Sequence, residues 1–178
     1  MVQLFELLNK RVVTKILQLF LDNPRAEFYT AEIRKKIKIS KGSSIKWLRV
    51  LVKEGFLIKS QRGKMSIFRL NVSNPIVKNL KILKNISLIY PAFRELSGKC
   101  EIYIYGSTAR GEDIEDSDID LLVLGKMTNE ISRKIEELRK KLNRNIKIMC
   151  MTELEWSQTS RKDPAFYERV EKDKIRVV

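Results

Sequence analysis

Residues 101–123 read Glu101-Ile102-Tyr103-Ile104-Tyr105, then Gly106-Ser107-Thr108-Ala109-Arg110-Gly111, then an acidic stretch, then Ser117-Asp118-Ile119-Asp120-Leu121-Leu122-Val123. Alternating β-branched and aromatic residues at either end predict two strands, the second beginning at Asp118. Side chains alternate across a strand, so Asp118 and Asp120 share one side while Ile119 and Leu121 enter the core.

Two carboxylates so placed suit a hard divalent cation bound through oxygen, as Mg²⁺ is when it also holds substrate phosphates. Gly106 lets a backbone approach a phosphate, and Ser107 offers a hydroxyl and an amide at the opening of a helical turn. Arg110 adds a fixed positive charge for the same phosphate chain. Gly-Ser alone is common in turns, and acidic pairs are common on loops. Strand, Gly-Ser, about ten residues, then Asp-x-Asp on a second strand is far more specific.

The run Tyr105–Gly111 with Ser117–Asp120 resembles the signature of minimal nucleotidyltransferases of the DNA polymerase beta superfamily, over about residues 76–178. That resemblance implies attack of an acceptor hydroxyl on the α-phosphate of a nucleoside triphosphate, with pyrophosphate leaving. Asp118 and Asp120 would be catalytic and would hold one or two Mg²⁺ ions, with ATP or another triphosphate as substrate or ligand.

Fully active members of that family place a third carboxylate on a later strand, which helps the nucleophile lose its proton. Here the strand is Asn145-Ile146-Lys147-Ile148-Met149-Cys150, and the position expected to be acidic is Lys147. A lysine beside Asp118 and Asp120 would weaken binding of a second cation, or touch the triphosphate itself. Glu101, Glu153 and Glu155 are candidate substitutes, although Thr152 and Glu155 fit a capping box better. Asp163-Pro164 opens a further helix and Ile175–Val178 reads as an edge strand; both are read as structural.

Ahead of this region, Ile16, Leu17, Leu19, Phe20 and Leu21 form a helical stripe stopped at Asp22-Asn23-Pro24. Thr30 is expected to cap a short helix ending at Ile37, and Ser40 a longer one over Lys41–Glu54 closed by Gly55. Only Lys38 and Ile39 separate them, which is helix-turn-helix spacing. At about 100° per residue, Ile45, Leu48, Leu51 and Val52 face one way and Ser43, Lys46, Arg49 and Lys53 the other. Residues 56–60 and 66–70 read as strands flanking Gln61–Met65, a basic hairpin tip carrying Arg62 and Lys64.

Residues 14–70 thus resemble the winged-helix domains of prokaryotic regulators. The resemblance implies a third helix in the major groove of double-stranded DNA, with Ser43, Lys46 and Arg49 near bases or phosphates and Arg62 and Lys64 on phosphate. A docking or dimerising winged helix is the alternative. The whole chain resembles archaeal fusions of a regulator with a nucleotidyltransferase domain.

Charge agrees with this division. The 178 residues carry a formal net charge of +14. Residues 1–72 hold 16 Lys and Arg against 5 Asp and Glu, whereas residues 98–178 hold 16 against 16. The excess lies where a polyanion would bind. No histidine is present, which removes His-assisted nucleophiles and most transition-metal chemistry. Cys100 and Cys150 lack paired spacing, so reduced thiols are expected. No membrane-length apolar run or signal-like start is visible, and a cytoplasmic location is expected.

The fold class expected is therefore α+β: a winged helix-turn-helix at 1–72, a connecting helix at 73–97, and a small mixed-sheet nucleotidyltransferase domain at 98–178. Asn74 and Pro75 start the connecting helix, whose apolar residues Ile76, Leu80, Leu83, Ile86 and Ile89 call for a partner. The expected partners are double-stranded DNA, a nucleoside triphosphate, a protein acceptor and a second copy of the chain. A regulator that senses a nucleotide without turning it over is the competing reading.

Overall fold

A computed structural model describes residues 4–178; Met1–Gln3, within the first predicted domain and the leader reading, lie outside the described residues. The chain forms two compact units, Met1–Lys78 and Asn79–Val178.

In the first unit α1 (Leu4–Leu8) and α2 (Arg11–Asp22) precede a two-residue strand, β1 (Phe28–Tyr29), then α3 (Thr30–Ile37) and α4 (Lys41–Lys53). The hairpin β2 (Leu57–Arg62) and β3 (Met65–Leu70) completes an antiparallel sheet of order β1-β3-β2. Asn23 closes α2 through its amide on the Leu19 carbonyl at 2.8 Å, and Pro24 prevents continuation. Ser40 caps α4, its Oγ accepting from the Ser43 N–H at 3.2 Å. Thr30 is the first residue of α3 rather than its cap. The Tyr29 N–H is taken instead by the Glu32 carboxylate at 2.7 Å.

Three further details depart from expectation. Strand β1 is too short to carry a periodic signal, and it exists because β3 offers it a free edge at Phe28↔Phe68. The strands also run closer together than 60 and 66: Arg62 pairs with Met65, leaving a two-residue turn whose Gly63 takes φ +61°. On α4 the buried residues are Ser44, Leu48 and Leu51, while Ile45 is 45% exposed. Ser44 can be buried because its hydroxyl donates to the Lys41 carbonyl at 2.7 Å.

Helix α5 (Pro75–Phe93) begins on the Asn74 cap, whose Oδ1 accepts from Ile76 and Val77. In the second unit its buried face is Lys81, Asn85, Ile89 and Phe93, whereas Leu83 is 62% exposed. That face only partly matches the apolar stripe: Ile89 is buried and Ile86 packs against the core, while Leu83 is exposed and Lys81 and Asn85 are buried.

The second unit is a four-stranded sheet of order β6-β5-β4-β7, built from β4 (Glu101–Tyr105), β5 (Ile119–Leu124), β6 (Ile146–Met151) and β7 (Ile175–Arg176). Strand β4 is antiparallel to β5 and β7, and β5 is parallel to β6. A parallel pair needs a crossover, supplied by α7 (Asn129–Leu142) with Thr128 as its cap. One face carries Ile102, Ile104, Ile119, Leu121, Val123 and Ile146, packed with Ile89 and Phe93 of α5 and Ile131, Ile135 and Leu138 of α7. The other face carries Leu122 and Leu124 under Trp156 of α8 (Glu153–Lys162) and Val170 of α9 (Pro164–Asp173). The helix starts read at Thr152 and Asp163 are present, with Thr152 and Glu155 forming the reciprocal cap. Among the described residues no helix is long and apolar enough to cross a membrane.

Leu121 is fully buried at the centre of the sheet. Leu121→Ala is expected to destabilise the second unit by about 2–5 kcal/mol, read as an earlier denaturant midpoint for the transition that exposes Trp156.

Candidate active site

The register of β4 against β5 sets Tyr105 opposite Asp120, and the parallel register of β5 against β6 sets Asp120 opposite Lys147. Residues opposed across neighbouring strands share a face. Tyr105, Asp120 and Lys147 therefore project to the α8/α9 side of the sheet, at the end where β4 passes into α6 (Gly106–Arg110).

Gly106 is the corner. Its φ is +68°, and a Cβ there would lie 2.8 Å from Asp120 Oδ2. Both facts require glycine: a side chain would be strained in that backbone and would displace the carboxylate. Ser107 follows as the second residue of α6, half-buried, its carbonyl accepting from the Glu112 N–H at 2.9 Å.

Asp118 precedes β5 by one residue, so the predicted strand start is one residue early. Its carboxylate still reaches the same side, where Lys147 Nζ lies 2.6 Å from Oδ2 and the Asn145 amide donates to Oδ1 at 3.0 Å. The Lys147 hydrogen bond, then that of Asn145, holds the Asp118 carboxyl below the usual carboxylate range. The same bond raises the Lys147 ammonium. Asp120 is the reverse case: burial pushes its carboxyl up, opposed by the charge of Lys147. Among the described residues, none donates a hydrogen bond to Asp120. A half-buried carboxylate without a donor, backed by a glycine corner and beside a second carboxylate, has the donor chemistry of a hard-cation site.

Among the described residues no group of three acidic, Cys or His side chains converges. Glu101 sits at the far end of β4, roughly 13 Å away at strand rise, bonded to Tyr103 and Arg176. Glu155 caps α8 beyond the opposite end of β6, with Glu153 beside it. Geometry removes all three as substitutes for the third carboxylate.

Arg110 lies on α6, but its guanidinium is engaged with Glu112 at 2.9 Å and Asp173 at 2.5 Å. Helix α9 therefore orders the site as well as covering the sheet. Arg169 on the same helix rests over the Phe166 ring, with Cζ 5.4 Å from the centroid. Phe166 meets Tyr105 edge-on at 6.3 Å. These residues of the tail, read in the sequence as structural, could have been found only from the sheet face that α9 covers.

A second unread feature is the loop between α6 and β5. Asp113, 6% exposed, takes Asn85 Nδ2 at 3.1 Å and Arg144 at 3.3 Å, with Lys81 Nζ 3.6 Å from the same carboxylate. Lys81 also donates to the Asp113 carbonyl, and Asn85 to that of Thr108 at 3.1 Å. Burial depresses the Lys81 ammonium, and Asp113 offsets that. Arg144 clamps the Ser117 carbonyl with two donors at 2.9 and 2.7 Å. Buried charges persist only when paired in this way, so the acidic stretch before Asp118 is a fixed strut.

In the first unit, Lys46, Arg49, Lys53 and Lys64 are exposed, and Lys46 lies 5.0 Å from the Trp47 ring centroid. Arg62 is exposed, with Glu27 at 3.7 Å. Ser43 is half-buried, its N–H committed to the Ser40 cap.

The family model of the nucleotidyltransferase domain matches residues 86–177, slightly over half of the chain. The chain belongs to the nucleotidyltransferase domain family. Among solved structures, a protein of Sulfolobus solfataricus assigned to the nucleotidyltransferases is similar at 24% identity, over 56% of this chain and 85% of that one, with a TM-score of 0.31. No curated protein matches the chain.

The opposite shifts of the two aspartates predict opposite stability effects in metal-free buffer. Burial raises Asp120 above its ordinary value of 3.8, so its ionised form weakens the fold at pH 7, and that penalty is lost as pH falls through the raised value. Asp120→Asn should raise the melting temperature at pH 7 and give no gain at pH 3. Asp118, lowered by Lys147, stabilises above 3.8 and loses that contribution in acid. Asp118→Asn should lower the melting temperature at pH 7, with the deficit narrowing as pH falls below 3.8.

Proposed function

We propose that this chain is a DNA-binding protein whose C-terminal unit binds a magnesium–nucleoside triphosphate and transfers a nucleoside monophosphate to a hydroxyl acceptor. The observation that carries the reading is the Asp120 carboxylate, half-buried and without a donor, set against the side-chain-free corner of Gly106 and beside Asp118. Asp118 and Asp120 would hold the cation, whose chemistry is to neutralise charge on the transferring phosphoryl group. Ser107 and the Gly106 backbone would receive phosphate oxygens. The form we propose is adenylyl transfer from ATP to a hydroxyl of a protein or nucleic acid.

The ion pair between Lys147 and Asp118 supports a second reading, a regulator that senses the nucleotide without turning it over. Lys147 occupies an oxygen that a second cation would use, and among the described residues no third carboxylate joins Asp118 and Asp120. Incubation of the full chain with labelled ATP, Mg²⁺ and lysate separates the two. Label transfer that vanishes in Asp118→Ala plus Asp120→Ala establishes the enzyme. Retained Mg-ATP binding with no transfer in either protein establishes the sensor.

The DNA-binding part of the proposal rests on the basic excess of residues 1–72 and on Lys46, Arg49, Lys53 and Lys64 exposed along α4 and the hairpin tip. In this arrangement α4 of a winged-helix domain enters the major groove of the duplex and the hairpin follows the DNA backbone. Log affinity for duplex DNA should fall with log salt at about −0.9 per phosphate neutralised, and Arg49→Ala should lower that slope by about one. A flat salt response would refute this part.

A further inference from the structure

Three cations exert their charge on Asp120: Lys147, Arg110 and Arg169. Two are already engaged with carboxylates. Lys147 is bound to Asp118, and Arg110 to Glu112 and Asp173. Among the described residues Arg169 has no carboxylate partner, and its neighbour is the Phe166 ring.

The ring is one helical turn before Arg169 on α9, so the two side chains are neighbours, with the guanidinium carbon 5.4 Å from the ring centroid. Stacking on an aromatic face fixes the plane of a guanidinium while leaving its N–H groups at the edge free to donate. Phe166 is itself placed by its edge-on contact with Tyr105, the residue opposite Asp120. The charge of Arg169 is also felt at Tyr105. An exposed guanidinium held on an aromatic ring near the Asp120 carboxylate is complementary to an oxyanion that also binds a cation held by that carboxylate.

We propose that Arg169 is a phosphate-contacting residue of this site, engaging the polyphosphate of the bound nucleotide from the α9 side while Phe166 orients its guanidinium. The inference rests on the reading of the site as a triphosphate site, and it adds a residue outside the Gly-Ser and Asp-x-Asp segments. It also gives α9 a double task, since Asp173, one turn further on, draws Arg110 away from the phosphates that Arg110 was expected to meet. The polyphosphate contact passes from the motif arginine to the helix arginine.

The test is equilibrium binding of Mg-ATP and, separately, of adenosine to the full chain by calorimetry. Arg169→Ala should weaken Mg-ATP by at least tenfold and leave adenosine affinity and the melting temperature unchanged. Arg169→Lys should recover part of the loss, and Phe166→Leu should weaken Mg-ATP by a smaller factor with the arginine in place. Equal Mg-ATP affinity in wild type and Arg169→Ala would overturn the proposal while leaving the triphosphate reading intact. A parallel loss of adenosine binding would overturn it too, by making Arg169 a structural residue. A wild-type protein that takes up no Mg-ATP would defeat the triphosphate reading and this inference together.

Discussion

The second unit is organised around one contact, the approach of the Asp120 carboxylate to the bare Cα of Gly106. Antiparallel pairing of β4 with β5 fixes Tyr105 opposite Asp120, and the next residue after Tyr105 must turn out of the sheet. Any Cβ at that turn would stand 2.8 Å from Asp120 Oδ2. The strand register, the helical turn of α6 and the position of the carboxylate are therefore one constraint. Slipping the register by one residue would send Asp120 to the apolar face.

That constraint is held from both sides of the sheet. On one side α5 and α7 supply an aliphatic core, and α5 adds Lys81 and Asn85, which grip Asp113. Arg144, just ahead of β6, grips Asp113 and Ser117. The six residues between Gly111 and Asp118 are thereby anchored at both ends, and Asp118 enters the site with its direction set. On the other side α8 and α9 cover the sheet with aromatic rings, and α9 distributes the cations around the carboxylates.

Charge is distributed differently in the two units. In the second unit nearly every charged group near the site has a partner of opposite sign, so specificity there comes from which group is left without one. In the first unit, lysines and arginines along α4 and the hairpin stand exposed, and the proposed contact with duplex DNA rests on them.

Much of this was legible in the sequence where the signal is local. Ser40, Thr152 and Asp163 announce helix starts through side chains that bond the next turn; Pro24 and Gly55 announce stops; period-two alternation places Asp120 and Lys147 against Leu121 and Ile148. The α4 face was read correctly at Leu48 and Leu51 but set Ile45, which is exposed, in place of Ser44, because a hydroxyl bonded to its own helix can be buried without a partner elsewhere. The α5 face was read only in part, with Ile86 and Ile89 placed correctly: hydrophobicity cannot announce that Lys81 and Asn85 are buried, since their burial is stabilised by a carboxylate about thirty residues away in the chain. By itself the chain determined the order of the longer elements, without α1 and β1, and with it the Gly-Ser corner, the aspartate pair and the lysine opposite them, because each follows from backbone preference or periodicity. Only the tertiary structure decided that Glu101, Glu153 and Glu155 are too far to replace the missing acid, that Arg110 is paired with Asp173, and that Arg169 lies on the ring that meets Tyr105. Those depend on distances between segments remote in sequence, which register and packing set and composition does not encode.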